Sequence, residues 1–147
     1  MIAVKKILGI DFGERRIGLA LGLCETKLAF PRPPIDTRKS PDPIAAILQL
    51  AQDEHADALL IGWPLHPDGH RSEKTDAVER FAKKIMQQSA LPLFRHDEAY
   101  STVIAKERTT HFSTKRKREQ KGDLDSAAAT VILQEFLELP EEQRQKL

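Results

Sequence analysis

Cysteine is nearly missing from these 147 residues: Cys24 stands alone, so no internal disulfide can form and no zinc-type cysteine cluster exists. That scarcity predicts a reducing, cytoplasmic setting. No apolar run approaches the roughly 20 residues of a membrane helix. The opening Met-Ile-Ala-Val-Lys-Lys has no apolar h-region, so no secretory signal is expected there. The phosphate-cradling Gly-x-x-x-x-Gly-Lys-Ser/Thr and dinucleotide Gly-x-Gly-x-x-Gly patterns are both missing. Asp11-Phe12-Gly13 copies a kinase tripeptide, but no other kinase element accompanies it. Aromatics make up only 5% of the chain. Trp63 and Tyr100 could stack on bases, although such residues more often fill a core. Net charge is only +1 and says little about partners; a local basic patch on a near-neutral chain suggests a directed contact rather than general stickiness.

What is present is one compact domain's worth of chain, residues 1–138, followed by a tail, 139–147; the stretch from Glu138 to Leu147 is mixed and slightly acidic. Hydrophobic patterning predicts strands at 6–12, 16–23, 58–62 and 93–97, with a weaker one around 29–30 that ends in Pro31-Arg32-Pro33-Pro34. Helices are expected from Asp42-Pro43 to about 54, from Ser72-Glu73 to about 90, from Ser101 or Thr102 to about 110, and over 124–137. The order β-β-β-α-β-α-β-α-α predicts an α/β chain with a mixed five-stranded sheet and helices on both faces. Residues 16–23 divide at period two into a large face (Ile17, Leu19, Leu21) and a small face (Gly18, Ala20, Gly22). The last helix is apolar nearly all round its first half, and its alanines suit the small face of the hairpin.

Asp11 is the unusual residue, a carboxylate at the end of an apolar strand. Burying it costs several kcal/mol unless it is paired, protonated or metal-bound. A salt bridge to Arg15 or Arg16 is the simplest alternative reading. Asp97-Glu98 ends another strand, and Asp123 and Asp125 open the final helix, where a capping role is the commoner one. If that helix packs on the hairpin, Asp125 approaches Asp11, and Glu98 joins them if the 93–97 strand runs parallel nearby. Three hard oxygen ligands suit Mg2+ or Mn2+ and phosphodiester hydrolysis. The run 114–121 carries Lys115, Arg116, Lys117, Arg118 and Lys121 against one acid. With Arg15 and Arg16 it could hold phosphates, though charge runs are usually solvated surface. His66 and His70 flank a turn and are read as surface residues, and His96 as half-buried in its strand.

The whole set resembles the YqgF/RuvX family. Ile-Leu-Gly-Ile-Asp-Phe-Gly-Glu-Arg-Arg-Ile-Gly-Leu-Ala-Leu (7–21) is similar to its opening hairpin, and Leu-Leu-Ile-Gly-Trp-Pro-Leu-His-Pro-Asp-Gly (59–69) to its Gly-x-Pro-x-x-x-x-Gly segment. Asp97-Glu98-Ala99-Tyr100-Ser101-Thr102 is similar to its Asp-Glu-Arg-x-Ser/Thr-Thr signature, and Gly122-Asp123-Leu124-Asp125-Ser126-Ala127-Ala128 to the acidic start of its last helix. The resemblance implies an RNase H-like fold related to RuvC-type resolvases, with Asp11, Glu98 and Asp125 as catalytic carboxylates. It implies trimming of the 5′ end of precursor 16S rRNA, with branched DNA as the other candidate substrate. A catalytically silent nucleic-acid-binding module is the alternative from another class, and either a monomer or a homodimer is compatible. Ala99 stands where the family pattern has arginine, a place Arg95 or Arg108 could take.

Overall fold

The computed structural model describes residues 4–64, 72–97 and 121–147, with side chains of the last segment from Ser126 onward. The described residues form six strands and three α-helices: β1 (Lys6–Asp11), β2 (Arg16–Leu23), β3 (Leu28–Asp36), α1 (Pro43–Asp53), β4 (Ala58–Trp63), α2 (Glu73–Gln88), β5 (Leu93–Asp97), α3 (Lys121–Glu138) and β6 (Gln145–Lys146). One sheet contains all these strands in the order β3-β2-β1-β4-β5-β6. The β3-β2-β1 meander is antiparallel, β1, β4 and β5 are mutually parallel, and β6 is antiparallel to β5. The helix expected near residues 101–110 lies outside the described residues.

The hairpin register pairs Asp11 with Gly18 and Gly9 with Ala20. Its turn is clamped from β3's far end: the Thr37 N–H donates to the Arg15 carbonyl at 2.9 Å. The Thr37 hydroxyl donates to the Glu14 carbonyl at 2.6 Å. A Cβ on Gly13 would collide with the Arg16 carbonyl oxygen, so this tight return requires glycine. At the other end, the Asp57 carboxylate accepts from the Lys5 and Lys6 amides at 2.9 and 3.1 Å, pinning β1 to the start of β4.

Two details differ from the sequence expectation. β3 runs through Pro31, Pro33 and Pro34, because it is an edge strand where a missing N–H costs no ladder bond on the open side. The sheet has a sixth strand, taken from the tail. Gln145 and Lys146 pair with Arg95 and Phe94, and the Leu147 amide donates to the Leu93 carbonyl at 2.8 Å. α1 and α2 begin as the sequence indicated. Asp42 caps α1 by accepting from the Ala45 amide at 3.1 Å, with Pro43 in the first turn. Ser72 and Thr75 form a reciprocal capping box on α2.

Strand alternation sends side chains to two separate cores. Leu8, Ile10, Ile17, Leu19, Leu59, Ile61 and Trp63 meet α1 and α2 on one face. Ile7, Ala20, Ala58 and Leu60 meet Ala129, Ile132, Leu133, Phe136 and Leu137 of α3 on the other. α3 lies against the small-residue face of the hairpin, as the complementary surfaces suggested. A Cβ on Gly9 would sit 3.2 Å from the Leu133 Cβ, and one on Gly22 would sit 2.8 Å from the Leu133 Cδ2 and 3.0 Å from the Leu137 Cδ1. Gly22→Ala should therefore overpack this face and cost about 1–3 kcal/mol. Leu133→Ala should cost about 2–5 kcal/mol through the cavity it leaves. In urea unfolding, the double variant is expected to lose clearly less than the sum, because each change relieves the other. Strict additivity would show that the two residues do not oppose each other.

Candidate carboxylate site at the strand ends

Asp11 ends β1 in the middle of the sheet, between antiparallel β2 and parallel β4. Crevices outside the carboxyl ends of parallel strands are the usual ligand positions in such sheets. The Asp11 side chain follows Ile7 and Gly9 by alternation and so faces α3. It is half-buried, and its Oδ1 is shielded from solvent. Its register partner Gly18 presents no side chain, and neither does Gly62 of β4 on the same face. The strands on either side of this carboxylate thus offer bare backbone to α3.

α3 runs antiparallel to β1. Its C-terminal half packs on Gly22, Leu133 reaches Gly9, and its N-terminal half arrives at the Asp11 end. Ser126 is fully buried there. Its Oγ accepts from the Leu19 amide at 3.3 Å and donates to the Arg32 carbonyl at 2.6 Å. Leu19 is in turn the register neighbour of Ile10, one residue before Asp11. Asp125 precedes Ser126 directly. Because α3 begins at Lys121, Asp123 and Asp125 lie within the helix rather than at its cap. The side chains of both belong to the part not described.

On β5, His96 faces α3: its Nε2 lies 3.1 Å from the Glu135 Oε2, and its ring meets the edge of Phe136. His96 is half-buried, as its strand position indicated. Asp97 pairs with Trp63, whose side chain is buried in the opposite core. Of the two acids ending this strand, Asp97 therefore belongs to the face away from Asp11. Glu98, Ala99 and Tyr100 lie outside the described residues, as do His66, His70, Arg108, Lys115, Arg116, Lys117 and Arg118. The Lys121 side chain is likewise not described. Arg15 is exposed in the hairpin turn and Arg16 is half-buried at the start of β2. Among the described residues, no three metal-ligating side chains converge.

Arg95 pairs with Ile61 and lies 5.0 Å above the Trp63 ring, on the α1/α2 side of the sheet. Strand parity keeps it from the Asp11 face, and Ala99, whose family arginine it could stand in for, lies outside the described residues. One role left open by the sequence is excluded: Trp63 is core, buried to 5% exposure beneath that guanidinium, and is no stacking platform for bases. Sequence reasoning did not find Ser126 or Thr37. The available signal for Ser126 was a lone hydroxyl at the helical spacing of Ala129 and Leu133, on the face that packs inward; a buried hydroxyl there needs partners. Among the described residues, no helix is long and apolar enough to cross a membrane.

Residues 5–139 match the family model RuvX, described as Holliday junction resolvase. A relative from Chromobacterium violaceum, named "Putative pre-16S rRNA nuclease", is 38% identical over 135 residues, covering 90% of this chain and 97% of that protein. A relative of the same name from Paraburkholderia phymatum is 35% identical over 132 residues, covering 90% and 84%. Among solved structures, T. thermophilus RuvC in complex with a Holliday junction substrate superposes with a TM-score of 0.59 at 14% identity, covering 97% of this chain and 99% of that one. Fowlpox virus resolvase with Holliday junction DNA gives 0.57 at 10% identity, covering 90% and 97%. The fold is accordingly that of the RuvC-like resolvases, RNase H-like, with helices on both faces of a mixed sheet. Sequence match and fold agree, and the chain belongs to the RuvX family.

Proposed function

We propose that this chain is a cytoplasmic, divalent-metal-dependent nuclease that trims the 5′ end of precursor 16S rRNA, with Asp11, Glu98 and Asp125 as its catalytic carboxylates. The name carried by relatives at 31–38% identity supports the substrate. The observation that carries the site is the placement of Asp11: it ends the central strand on the face where α3 brings in its N-terminal half. Strand parity supports Glu98 over Asp97, since Asp97 pairs with a residue of the opposite core.

The donor chemistry fits Mg2+ or Mn2+, which take carboxylate oxygens. The glycines at positions 18 and 62 fit as well, because no side chain from either position competes for the α3-side space. Bound there, a divalent ion supplies Lewis-acid activation of water and charge neutralisation at the scissile phosphate. The chain's own part is rigidity and access. Asp11 ends a strand paired on both sides, so its carboxylate needs little reorganisation. Arg15, held in a turn clamped by Thr37, is placed to meet phosphate from the exposed side. Arg16, Lys115, Arg116, Lys117, Arg118 and Lys121 supply further positive charge.

Asp11→Asn should cut Mg2+- or Mn2+-dependent cleavage of a precursor 16S fragment by at least the roughly 100-fold that loss of a supporting metal-site group costs. Wild-type cleavage that survives excess chelator would remove the metal from the mechanism. The family description favours one other substrate, branched DNA. Cleavage rates on the rRNA fragment and on a four-way junction, measured side by side, decide between them: the rRNA reading expects the faster rate on RNA. Neutralising Lys115, Arg116, Lys117 and Arg118 together should weaken binding and flatten its salt dependence, by about 0.7–0.9 in log–log slope for each phosphate no longer neutralised. An unchanged slope in a fluorescence titration would mean that these cations do not touch the nucleic acid.

A further inference from the structure

β2 and β3 fall out of register between Ile17 and Leu19: Ile17 pairs with Ile35, and Leu19 pairs with Arg32. One residue of β2, Gly18, therefore faces two of β3, Pro33 and Pro34. Neither proline has an N–H to donate to the β2 carbonyls, so the ladder is interrupted here. The Ser126 hydroxyl enters this defect from α3. It accepts from the Leu19 amide at 3.3 Å and donates to the Arg32 carbonyl at 2.6 Å, bridging the two members of one register pair. Gly18 inside the bulge is the residue opposite Asp11. The hydroxyl thus ties the backbone next to Asp11 to the helical residue next to Asp125.

We infer that Ser126 is a positioning residue, which sets the distance between the Asp11 strand and the Asp125 position by docking α3 into the β2–β3 bulge. This inference rests on the reading of Asp11 and Asp125 as metal-holding carboxylates. Further along α3, apolar packing is joined by Gln134, whose Oε1 accepts from the Ala29 amide at 3.1 Å and whose Nε2 donates to the Lys27 carbonyl at 2.5 Å, so the C-terminal half of the helix is fixed at the far end of the hairpin. Ser126 supplies a directional contact at the end where the carboxylates lie. A hydroxyl with both a donor and an acceptor fixed has one geometry, so it sets the helix's axial position and rotation at residue 125.

The test uses the full chain and Mn2+ binding without substrate, read by electron spin resonance, beside cleavage kinetics. Ser126→Ala is expected to raise the Mn2+ concentration for half-saturation by roughly 10-fold, the scale seen when a supporting group at a metal site is removed. It should also lower kcat with substrate KM unchanged. Ile47→Ala is the control for stability alone. Ile47 is buried in the core on the other face of the sheet, and its loss should leave Mn2+ affinity within roughly twofold. If Ser126→Ala does not fold, Ser126→Cys, with a weaker hydrogen-bonding group, should shift the isotherm in the same direction by a smaller factor. An unchanged isotherm in a folded Ser126 variant, or an equal shift in Ile47→Ala, overturns the inference. Asp125→Asn that keeps both Mn2+ binding and cleavage would instead overturn the reading of the carboxylates beneath it.

Discussion

Everything at the candidate site depends on the close approach of α3 to the hairpin. Leu133 and Leu137 occupy the volume that side chains at Gly9 and Gly22 would take, and Ala20 and Ala58 continue the same shallow surface. A sheet with ordinary side chains on this face would hold a helix about 10 Å away. The missing Cβ atoms draw α3 in, close enough for a serine side chain to enter the sheet's own hydrogen bonding. The same contact sets direction. With its bulky leucines over Gly22, the helix points its N-terminal half at the carboxyl end of β1.

That direction has an electrostatic consequence. The N-terminal end of a helix carries partial positive charge, which favours acidic residues in and near its first turns. Asp123 and Asp125 lie within this region of α3, and Asp11 lies at the sheet end toward which it points. A helix terminus favours negative charge beside it where bare sheet would not. On the opposite face at the same end, the Arg95 guanidinium lies 5.0 Å over the Trp63 ring, and its Nε donates to the Gln145 side chain at 2.8 Å. Among the described residues the two faces of this sheet end thus differ: one carries an aromatic–cation pair, the other glycine backbone and a carboxylate.

The large-scale design could be read in the sequence because it depends on periodicity. The division of β2 into large and small faces, the Asp42-Pro43 and Ser72 helix starts, and the buried character of α3 are all one-dimensional patterns with one physical meaning. The features that escaped such reading have no pattern of their own. β6 is two polar, exposed residues whose strand character comes entirely from the neighbouring edge of β5. β3 carries three prolines that argue against a strand until its edge position is known. The side of the sheet on which Arg95 lies is set by its register with Ile61, which the chain near it does not reveal. Ser126 stands in a motif whose evident chemistry belongs to its acidic neighbour, and the bulge that gives it partners is formed by residues about 100 positions earlier.

The bulge also explains why two prolines can stand in a strand so near the site. In a regular antiparallel pair, Pro33 and Pro34 would leave β2 short of ladder bonds beside Gly18, the thinnest part of the hairpin. Unfilled, the buried Leu19 amide would lose the Ser126 hydroxyl as partner, at a cost of about 1–3 kcal/mol. Filled by a serine from another element, the same defect becomes a socket. Hydrophobic burial brings α3 to the sheet, and Gln134 ties its C-terminal half to the Lys27 and Ala29 backbone. The socket with one donor and one acceptor ties the other half, one residue along the ladder from the pair Asp11–Gly18. A proline-made fault in the edge ladder thereby gives the central carboxylate a fixed relation to the helix across from it.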